Sequence, residues 1–545
     1  MRGSPGRVLN LGVGPRRMGK EGPVLRRVLV LLAIVLGVSV LVTTALASPK
    51  RQDVPRQVEQ TTPTAGQRSG MNSQGYEYER PRHRPEARRA DDDRPNIVLI
   101  TTDDQALTDM RWMPKTRRWL GRGGVTFRNM ISPHPLCCPA RAEILTGQFA
   151  QNNGVHTNAG PYGGAGALVD PDNTLASWLQ KSGYLVGMSG KYLNQYDATQ
   201  GVPDGWDYWN VATTNQFGYL RYPMYGNGEP TFHATEYSSD VIRDDTVRLV
   251  EQWSEADQPF FIWASYYAPH GLCADAAGCA KPPLPAPRHR HLYPNAAAPS
   301  LRKPSFDEDD VRDKSHEIRK RDKVGRRSAT YLHRQRIRSL AAVDQGVDRT
   351  FKALRKAGEL DDTVVVFTSD NGYLLGEHRY RGKILPYEES IRVPLLVRGP
   401  GVPKGATRDQ TVTTVDLAPT VLELAEVEPG RVVDGRSILP FVRDRDRRRT
   451  DTDILIQAGG RPDETPTPWW YRGVRNERWT FVRWSEQGFL ELYDNRRDRY
   501  QLQNLAYDAR HRPVVREMLR RLKVLRDCAG EECRVDLGPP PRPRT

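Results

Sequence analysis

Three things are absent from this 545-residue sequence or scarce in it: internal repeats, nucleic-acid-binding motifs and cysteine, of which there are six. Without a repeat the chain is not a solenoid or a propeller-like array. Two pairs of cysteines, Cys273 with Cys279 and Cys528 with Cys533, are spaced as short local clips rather than as the framework of a disulfide-stapled scaffold. Cys137 and Cys138 are adjacent, and sequence neighbours rarely bridge each other because their side chains diverge. That pair asks for another explanation.

Acidic residues are also in deficit, 66 against 81 Lys and Arg, which leaves a net charge of +15. The excess is local. Residues 1–27 hold seven basic and one acidic residue, a block that serves topology, and residues 281–327 hold thirteen basic and seven acidic in a Pro-rich, poorly periodic stretch. Neither block carries aromatic interleaving, so nucleic acid is not an expected partner. For 281–327, a basic rim beside an anionic-substrate site and a solvated loop are both open.

What is present begins with an export signal. The basic block precedes an uncharged, mostly apolar run of 20 residues from Val28 to Ala47 that ends in Ala45-Leu46-Ala47. The run is long enough to span a bilayer and also finishes like a cleavage site, so a cleaved signal peptide and an N-terminal membrane anchor over 1–47 both stand. In either case the rest of the chain is outside, secreted or held on the outer face of the cytoplasmic membrane. Residues 48–93, rich in Arg, Pro, Gln, Gly and Ser, read as a disordered tether.

With 38% hydrophobic and 27% charged residues, the remainder can bury a large core. Asn96-Ile97-Val98-Leu99-Ile100 is a continuous apolar run ending in Thr-Thr-Asp-Asp, and Thr363-Val364-Val365-Val366-Phe367 ends in Thr-Ser-Asp-Asn. Pro259–Ala264 leads likewise to Ala268-Pro269-His270. Such runs are strands buried on both faces with polar tips. Ser239-Asp240 caps a helical pattern through Ile242, Leu249, Val250 and Trp253, and Leu340, Val343, Val347, Phe351 and Leu354 mark a longer helix stopping at Gly358. Alternation of strands and helices predicts an α/β fold, a large mostly parallel sheet flanked by helices, over residues 94–450. From 451 to 537 the texture changes to the short strands Trp479–Trp484 and Phe489–Tyr493, joined by a Gln-Gly turn, and a helix from Val514 to Leu525. This predicts a smaller antiparallel α+β subdomain, followed by a Pro/Arg-rich tail over 538–545.

Ligands in parallel sheets bind beyond the carboxyl ends of the strands, where Asp103, Asp104, Asp370 and Asn371 fall. Four oxygen-bearing side chains suit a hard cation, Ca²⁺ or Mg²⁺, rather than zinc. Pro139 places Cys137 at or just before a helix N-terminus, where free N–H groups favour an anion, and Arg141 one turn on can reach the same point.

Cys137-Cys138-Pro139-Ala140-Arg141, followed by Leu145-Thr146-Gly147, resembles the sulfatase signature. The resemblance implies an alkaline-phosphatase-like fold and conversion of Cys137 to formylglycine by a formylglycine-generating enzyme. It also implies a metal, usually calcium, held by Asp103, Asp104, Asp370, Asn371 and the modified Cys137. Gly190-Lys191 resembles the family's sulfate-contacting lysine motif, Pro269-His270 its leaving-group histidine, and Lys383 its second sulfate-binding lysine; His378 in Gly376-Glu377-His378 is a further candidate. Leu193 departs from the histidine of many arylsulfatases. Lys191-Tyr192-Leu193-Asn194 resembles instead the N-acetylglucosamine-6-sulfatase branch, which implies a sulfated sugar or glycan as substrate, with Asn194 in the polar role. The resemblance runs from about residue 94 to 507 and includes Asp434-Gly435-Arg436-Ser437. Two other readings share these residues: a phosphonate or phosphate ester hydrolase of the same superfamily, and an exported glycan-binding protein that kept the fold without the chemistry.

Overall fold

A computed structural model describes residues 92–544 apart from 214–217, 273–280, 450 and 461–468, and, as a separate antiparallel pair, Gly70–Met71 with Glu77–Tyr78. The export signal, most of the expected tether and the Cys273/Cys279 pair lie outside the described residues. Among those described, no helix is long and apolar enough to cross a membrane.

The expected strands form the centre of a ten-stranded sheet. In chain order its strands are β1 (Asn96–Thr102), β2 (Val125–Ile131), β3 (Leu185–Gly190), β4 (Tyr208–Val211), β5 (Tyr222–Gly226), β6 (Glu229–His233), β7 (Phe260–Ser265), β8 (Thr363–Ser369), β9 (Arg392–Arg398) and β10 (Ala406–Thr413). They are arranged β10-β2-β9-β8-β1-β7-β3-β4-β5-β6. The five from β8 to β4 pair in parallel, and only β9 and β5 run against the rest.

Every residue of β1, β7 and β8 is buried, which is why these segments read as unbroken apolar runs rather than alternating ones. Successive residues serve opposite faces. Ile97, Leu99, Val364 and Val366 pack under α1 (Cys137–Thr146), α2 (Leu175–Lys181) and α5 (Leu417–Ala425). Val98, Ile100, Val365 and Phe367 pack under α3 (Ser238–Trp253) and α4 (Arg326–Ala357). Each such side chain contributes about 1.5–3 kcal/mol through burial, which fixes the strand register and with it the positions of the strand tips.

Two helix boundaries differ from expectation. α3 starts at Ser238 after Tyr237, and the Asp240 carboxylate accepts from both Arg288 nitrogens at 2.6 and 2.7 Å instead of capping. α4 begins 14 residues before its apolar pattern, because its first turns bury His333 and Arg336 among few hydrophobes. Its end is as read, with Gly358 in the left-handed conformation at φ 87°.

The C-terminal strands β11 (Ile454–Gly459), β12 (Trp469–Arg475), β13 (Trp479–Trp484) and β14 (Leu490–Asp494) make an antiparallel sheet in sequence order. Gln487 and Gly488 both have positive φ at the β13–β14 turn. One face carries α6 (Arg512–Leu525) and the Cys528–Cys533 disulfide. The other face packs Ile456, Tyr471 and Tyr493 against Leu385 and Tyr387 of the loop that follows β8. Residues 538–544 are docked on this sheet: Arg521 donates to the Gly538 and Pro539 carbonyls and the Trp479 indole to that of Pro541.

Candidate active site

Four adjacent strands, β8, β1, β7 and β3, end at one place and deliver the polar residues together. Asp103 and Asp104 follow β1, Asp370 and Asn371 follow β8, Lys191 follows β3 directly, and His270 stands beyond β7. Close approach of β3 to β7 requires Gly190, at φ 113°, since a Cβ there would lie 1.9 Å from the Ser265 carbonyl oxygen. Cys137 opens α1 with no side-chain cap, and Cys138 N–H donates to the Asn158 side chain at 2.9 Å. The final glycine of the Leu-Thr-Gly ending closes the same helix, since Gly147 sits in the left-handed conformation and donates to the Glu143 carbonyl.

One donor atom each from Asp103, Asp104, Cys137 and His270 lie within 4.8 Å of one another, all buried. Lys383 Nζ is 2.6 Å from Cys137 Sγ and 2.5 Å from Asp104 Oδ1, and Lys191 Nζ is bonded to Asp103 Oδ2. Arg141 Nε donates to Asp370 Oδ2 at 3.0 Å, Nη1 is held by the Lys191 carbonyl and Ser265 Oγ, and Nη2 makes no hydrogen bond, 3.9 Å from Asp103. His270 Nδ1 is 2.7 Å from the Gly271 carbonyl, which fixes the proton on that nitrogen and turns Nε2 toward Asp104, 3.7 Å away.

Burial would raise the Asp103 carboxyl, but Lys191, His270, Lys383 and Arg141 together hold it well below its usual range. Burial and the Asp103 charge push Asp370 up to about 7 against the pull of Arg141. The chain's own cations thus leave one of three converging carboxylates titrating near neutral pH. Asn371 Oδ1 is buried beside them without a hydrogen-bond partner, while its Nδ2 donates to Asp104 Oδ1 at 2.8 Å. Three converging carboxylates and an unpaired amide oxygen fit a hard divalent cation. Burial, and then Asp103, push the Cys137 thiol up to about 12. This is the reverse of an activated cysteine, whose thiolate is favoured.

His378 is brought elsewhere, a correction to the sequence expectation. Its Nδ1 is bonded to Glu308 at 2.7 Å and its ring stacks on Tyr387 at 4.2 Å; no hydrogen bond or ion pair joins it to the cluster among the described residues. Positive φ at Gly376, His378, Arg379 and Gly382 folds this hairpin so that Lys383, five residues on, reaches Cys137 while His378 turns into the core. Leu193 is buried in the main core, and Asn194 Oδ1 is buried without a partner.

Arg336 was not foreseen. It donates to the Asp104 carbonyl and to Asp109, and its guanidinium lies 4.3 Å over the Tyr373 ring, bracing Asp104 in its left-handed conformation, φ 67°. The sequence does hold a signal, since Arg336 falls on the stripe of Leu340, Val343 and Val347, and a cation on an apolar stripe needs a buried partner. The C-terminal sheet braces the site from both sides: Gln457 N–H donates to the Pro133 carbonyl ahead of Cys137, and Tyr471 OH to the Ile384 carbonyl after Lys383.

A large mixed sheet flanked by helices, a small antiparallel sheet behind it and a charged cluster at the parallel strand tips define an alkaline-phosphatase-like fold. The family described as Sulfatase matches residues 95–427, and the family described as N-sulphoglucosamine sulphohydrolase, C-terminal, matches 376–528. The chain belongs to the sulfatase family.

It is 32% identical to N-acetylglucosamine-6-sulfatase of Capra hircus over 81% of this chain and 85% of that protein. It is 34% identical to an extracellular sulfatase SULF-1 homolog of Drosophila melanogaster over 72% of this chain, but spans only 35% of that protein's length; a related Caenorhabditis elegans protein is spanned over 53%. A solved structure in complex with its substrate D-glucosamine-2-N,6-O-disulfate aligns with TM-score 0.64 and 25% identity, covering 79% of this chain and 97% of that one. A phosphonate monoester hydrolase of Agrobacterium radiobacter shares the fold at TM-score 0.58 and 20% identity, over 79% of this chain and 95% of that one.

Proposed function

We propose that the protein hydrolyses sulfate monoesters of sulfated sugars or glycans, using formylglycine made from Cys137 and a Ca²⁺ held by Asp103, Asp104, Asp370 and Asn371. The observation that carries this reading is Cys137 itself: a buried, protonated thiol at a helix N-terminus, 2.6 Å from a lysine amine and surrounded by oxygen ligands. As a thiol it is a poor nucleophile in that setting, which conversion to another group would remedy.

A sulfate ester resists attack because its negative oxygens repel nucleophiles, so the site must neutralise them. Arg141, Lys191 and Lys383 supply three cations at the cluster, and a Ca²⁺ held by the carboxylates would add further positive charge. The hydrated aldehyde would supply two hydroxyls: one would bond to sulfur as the sugar oxygen leaves, and deprotonation of the other would break the C–O bond to that sulfated oxygen, releasing sulfate and restoring the aldehyde for water to rehydrate. Asp370 accepts a proton at the attacking side. With Nδ1–H held by the Gly271 carbonyl, Nε2 of the neutral ring has no proton of its own, so His270 would first take one up there and then give it to the departing sugar oxygen. Burial, helped by Lys383 and Lys191, holds the His270 ring down at about 4 despite the pull of the Asp103 and Asp104 charges, and a bound anionic ester would raise it.

The names of the relatives favour a 6-sulfated glucosamine unit and export from the cell, which agrees with the leader at residues 1–47. The test is a mass spectrum of the Cys137 peptide from protein made in its own host, paired with sulfate, phosphate and phosphonate esters of one alcohol. The aldehyde-bearing peptide, lighter than the thiol by about 18 Da, together with preferred sulfate release supports the reading. An intact thiol removes the mechanism, and faster phosphonate cleavage moves the protein to the other ester class.

A further inference from the structure

Arg336 bonds to none of the side chains that the proposed chemistry uses, yet it is 1% exposed and joins three of the loops that carry them. Its Nη2 donates to the Asp104 carbonyl and, at 3.2 Å, to Asp109, and its Nη1 donates to the Pro269 carbonyl at 3.4 Å. The guanidinium carbon lies 4.3 Å from the centre of the Tyr373 ring. Asp104 belongs to the proposed cation site, Pro269 directly precedes His270, and Tyr373 stands two residues beyond Asn371. One side chain of α4 therefore meets the loops after β1, β7 and β8 at once.

These contacts are to main-chain carbonyls and a ring face, so they set where the loops stand without engaging the site's carboxylates or imidazole. The counter-charge is Asp109, fully buried, whose second oxygen lies 3.7 Å from His333 Nδ1 and has no hydrogen-bond partner among the described residues. Taking a cation out of water is costly, and a single carboxylate offsets only part of that cost. The buried charge is explained by what it holds. Asp104 has φ 67°, a conformation that a residue with a Cβ keeps only when its surroundings over-determine it. The planar fork of an arginine spans two carbonyls and stacks flat on a tyrosine, whereas a lysine would keep the charge and lose the fork.

We propose that Arg336, backed by Asp109, is a positioning residue that sets the distance between the cation loop at Asp104 and the leaving-group acid His270, so that cation binding and proton delivery depend on one guanidinium. The inference rests on the sulfatase reading for the roles of Asp104 and His270.

The test compares the full-length, aldehyde-bearing protein with R336K and D109N. It reads the Ca²⁺ concentration that gives half of the thermal stabilisation after chelator treatment and, at saturating Ca²⁺, kcat and KM on an alkyl and an aryl sulfate. R336K should bind Ca²⁺ about tenfold more weakly. Its kcat should fall about tenfold further on the alkyl sulfate, whose leaving oxygen needs a proton, than on the aryl sulfate, with both KM values within about twofold of the parent. D109N should move both readouts in the same direction by a smaller factor. A role confined to stability would lower the unfolding temperature and leave the alkyl-to-aryl ratio alone; that result overturns the proposal, as does unchanged Ca²⁺ binding. Failure of both variants to fold would make Arg336 a support of the whole fold, and overturns it too. A parent that releases no sulfate removes the sulfatase reading and leaves the Ca²⁺ shift of R336K to decide the positioning role, whereas an active parent beside an indistinguishable R336K removes the positioning role alone.

Discussion

Asp416 and Asp434 are as deeply buried as Asp103 and Asp370, yet their surroundings are opposite. Asp416 takes N–H groups from Thr413 and Arg436 and one arm of Arg449, at 2.7–2.9 Å. Asp434 takes the N–H groups of Phe149 and Gly530 and the Asn152 amide, tying the end of the α1 region to the disulfide loop. Each is satisfied by donors of the chain. At the strand tips three carboxylates converge, one is driven up to about 7, and an amide oxygen and an arginine nitrogen are left over. Burial alone therefore does not mark a reactive site; convergence of like charge with unspent donors does.

The comparison breaks most visibly at His270, whose ring belongs to the reactive set. H270A should lower kcat on alkyl sulfates by about 10²–10⁴-fold, and by much less on aryl sulfates whose leaving groups need no proton. Equal losses on both would remove the general-acid role. Next, Ca²⁺ at a hundred times its Kd should raise the unfolding free energy of chelator-treated protein by about 2.7 kcal/mol. D104N should lose that increment and D416N should keep it; a D416N protein blind to Ca²⁺ would erase the distinction. D416N should itself cost about 1–3 kcal/mol in denaturant titration, because it leaves Arg449 under-paired, with kcat of the folded fraction unchanged.

The smallest effect concerns His134, three residues before Cys137. Burial holds its ring well below the usual range, while Nε2 accepts from Gly459 N–H at 3.3 Å. Unfolded, this imidazole takes up a proton near pH 6.5; folded, it does not, so the native state loses stability as pH falls below 6.5. H134Q lacks that proton uptake, and between pH 7 and 5 its stability relative to the parent should improve by up to about 2 kcal/mol. A pH-independent difference would show that His134 is protonated in the fold.

Much of this was legible in the sequence because it is local. β1 and β8 announced themselves as apolar runs with acidic tips, and the sheet places those tips together through the parallel register Ile97↔Val364. Cys137, Arg141 and Gly147 lie on one helix, so spacing sufficed. His378 misled because nearness in sequence to Lys383 says nothing about a hairpin with four positive-φ residues between them and around them. Arg336 was missed because its target, the Asp104 carbonyl, is 232 residues away. The motif Asp434-Gly435-Arg436-Ser437 belongs to the framework: Asp434 staples three segments, and a Cβ on Gly435 would lie 2.2 Å from the Val415 carbonyl oxygen.

Cys137 has no solvent-exposed surface, closed in by β1, α1 and the loop carrying Lys383. Another protein's catalytic centre cannot reach a side chain so enclosed, so timing decides its fate. Were another protein to convert Cys137, as proposed above, it would have to act on the nascent or still unfolded chain, before the sheet assembles over it. On that proposal a molecule that folded first would keep its thiol for as long as it stayed native, and the proportion of competent protein in a preparation would be set during synthesis rather than afterwards.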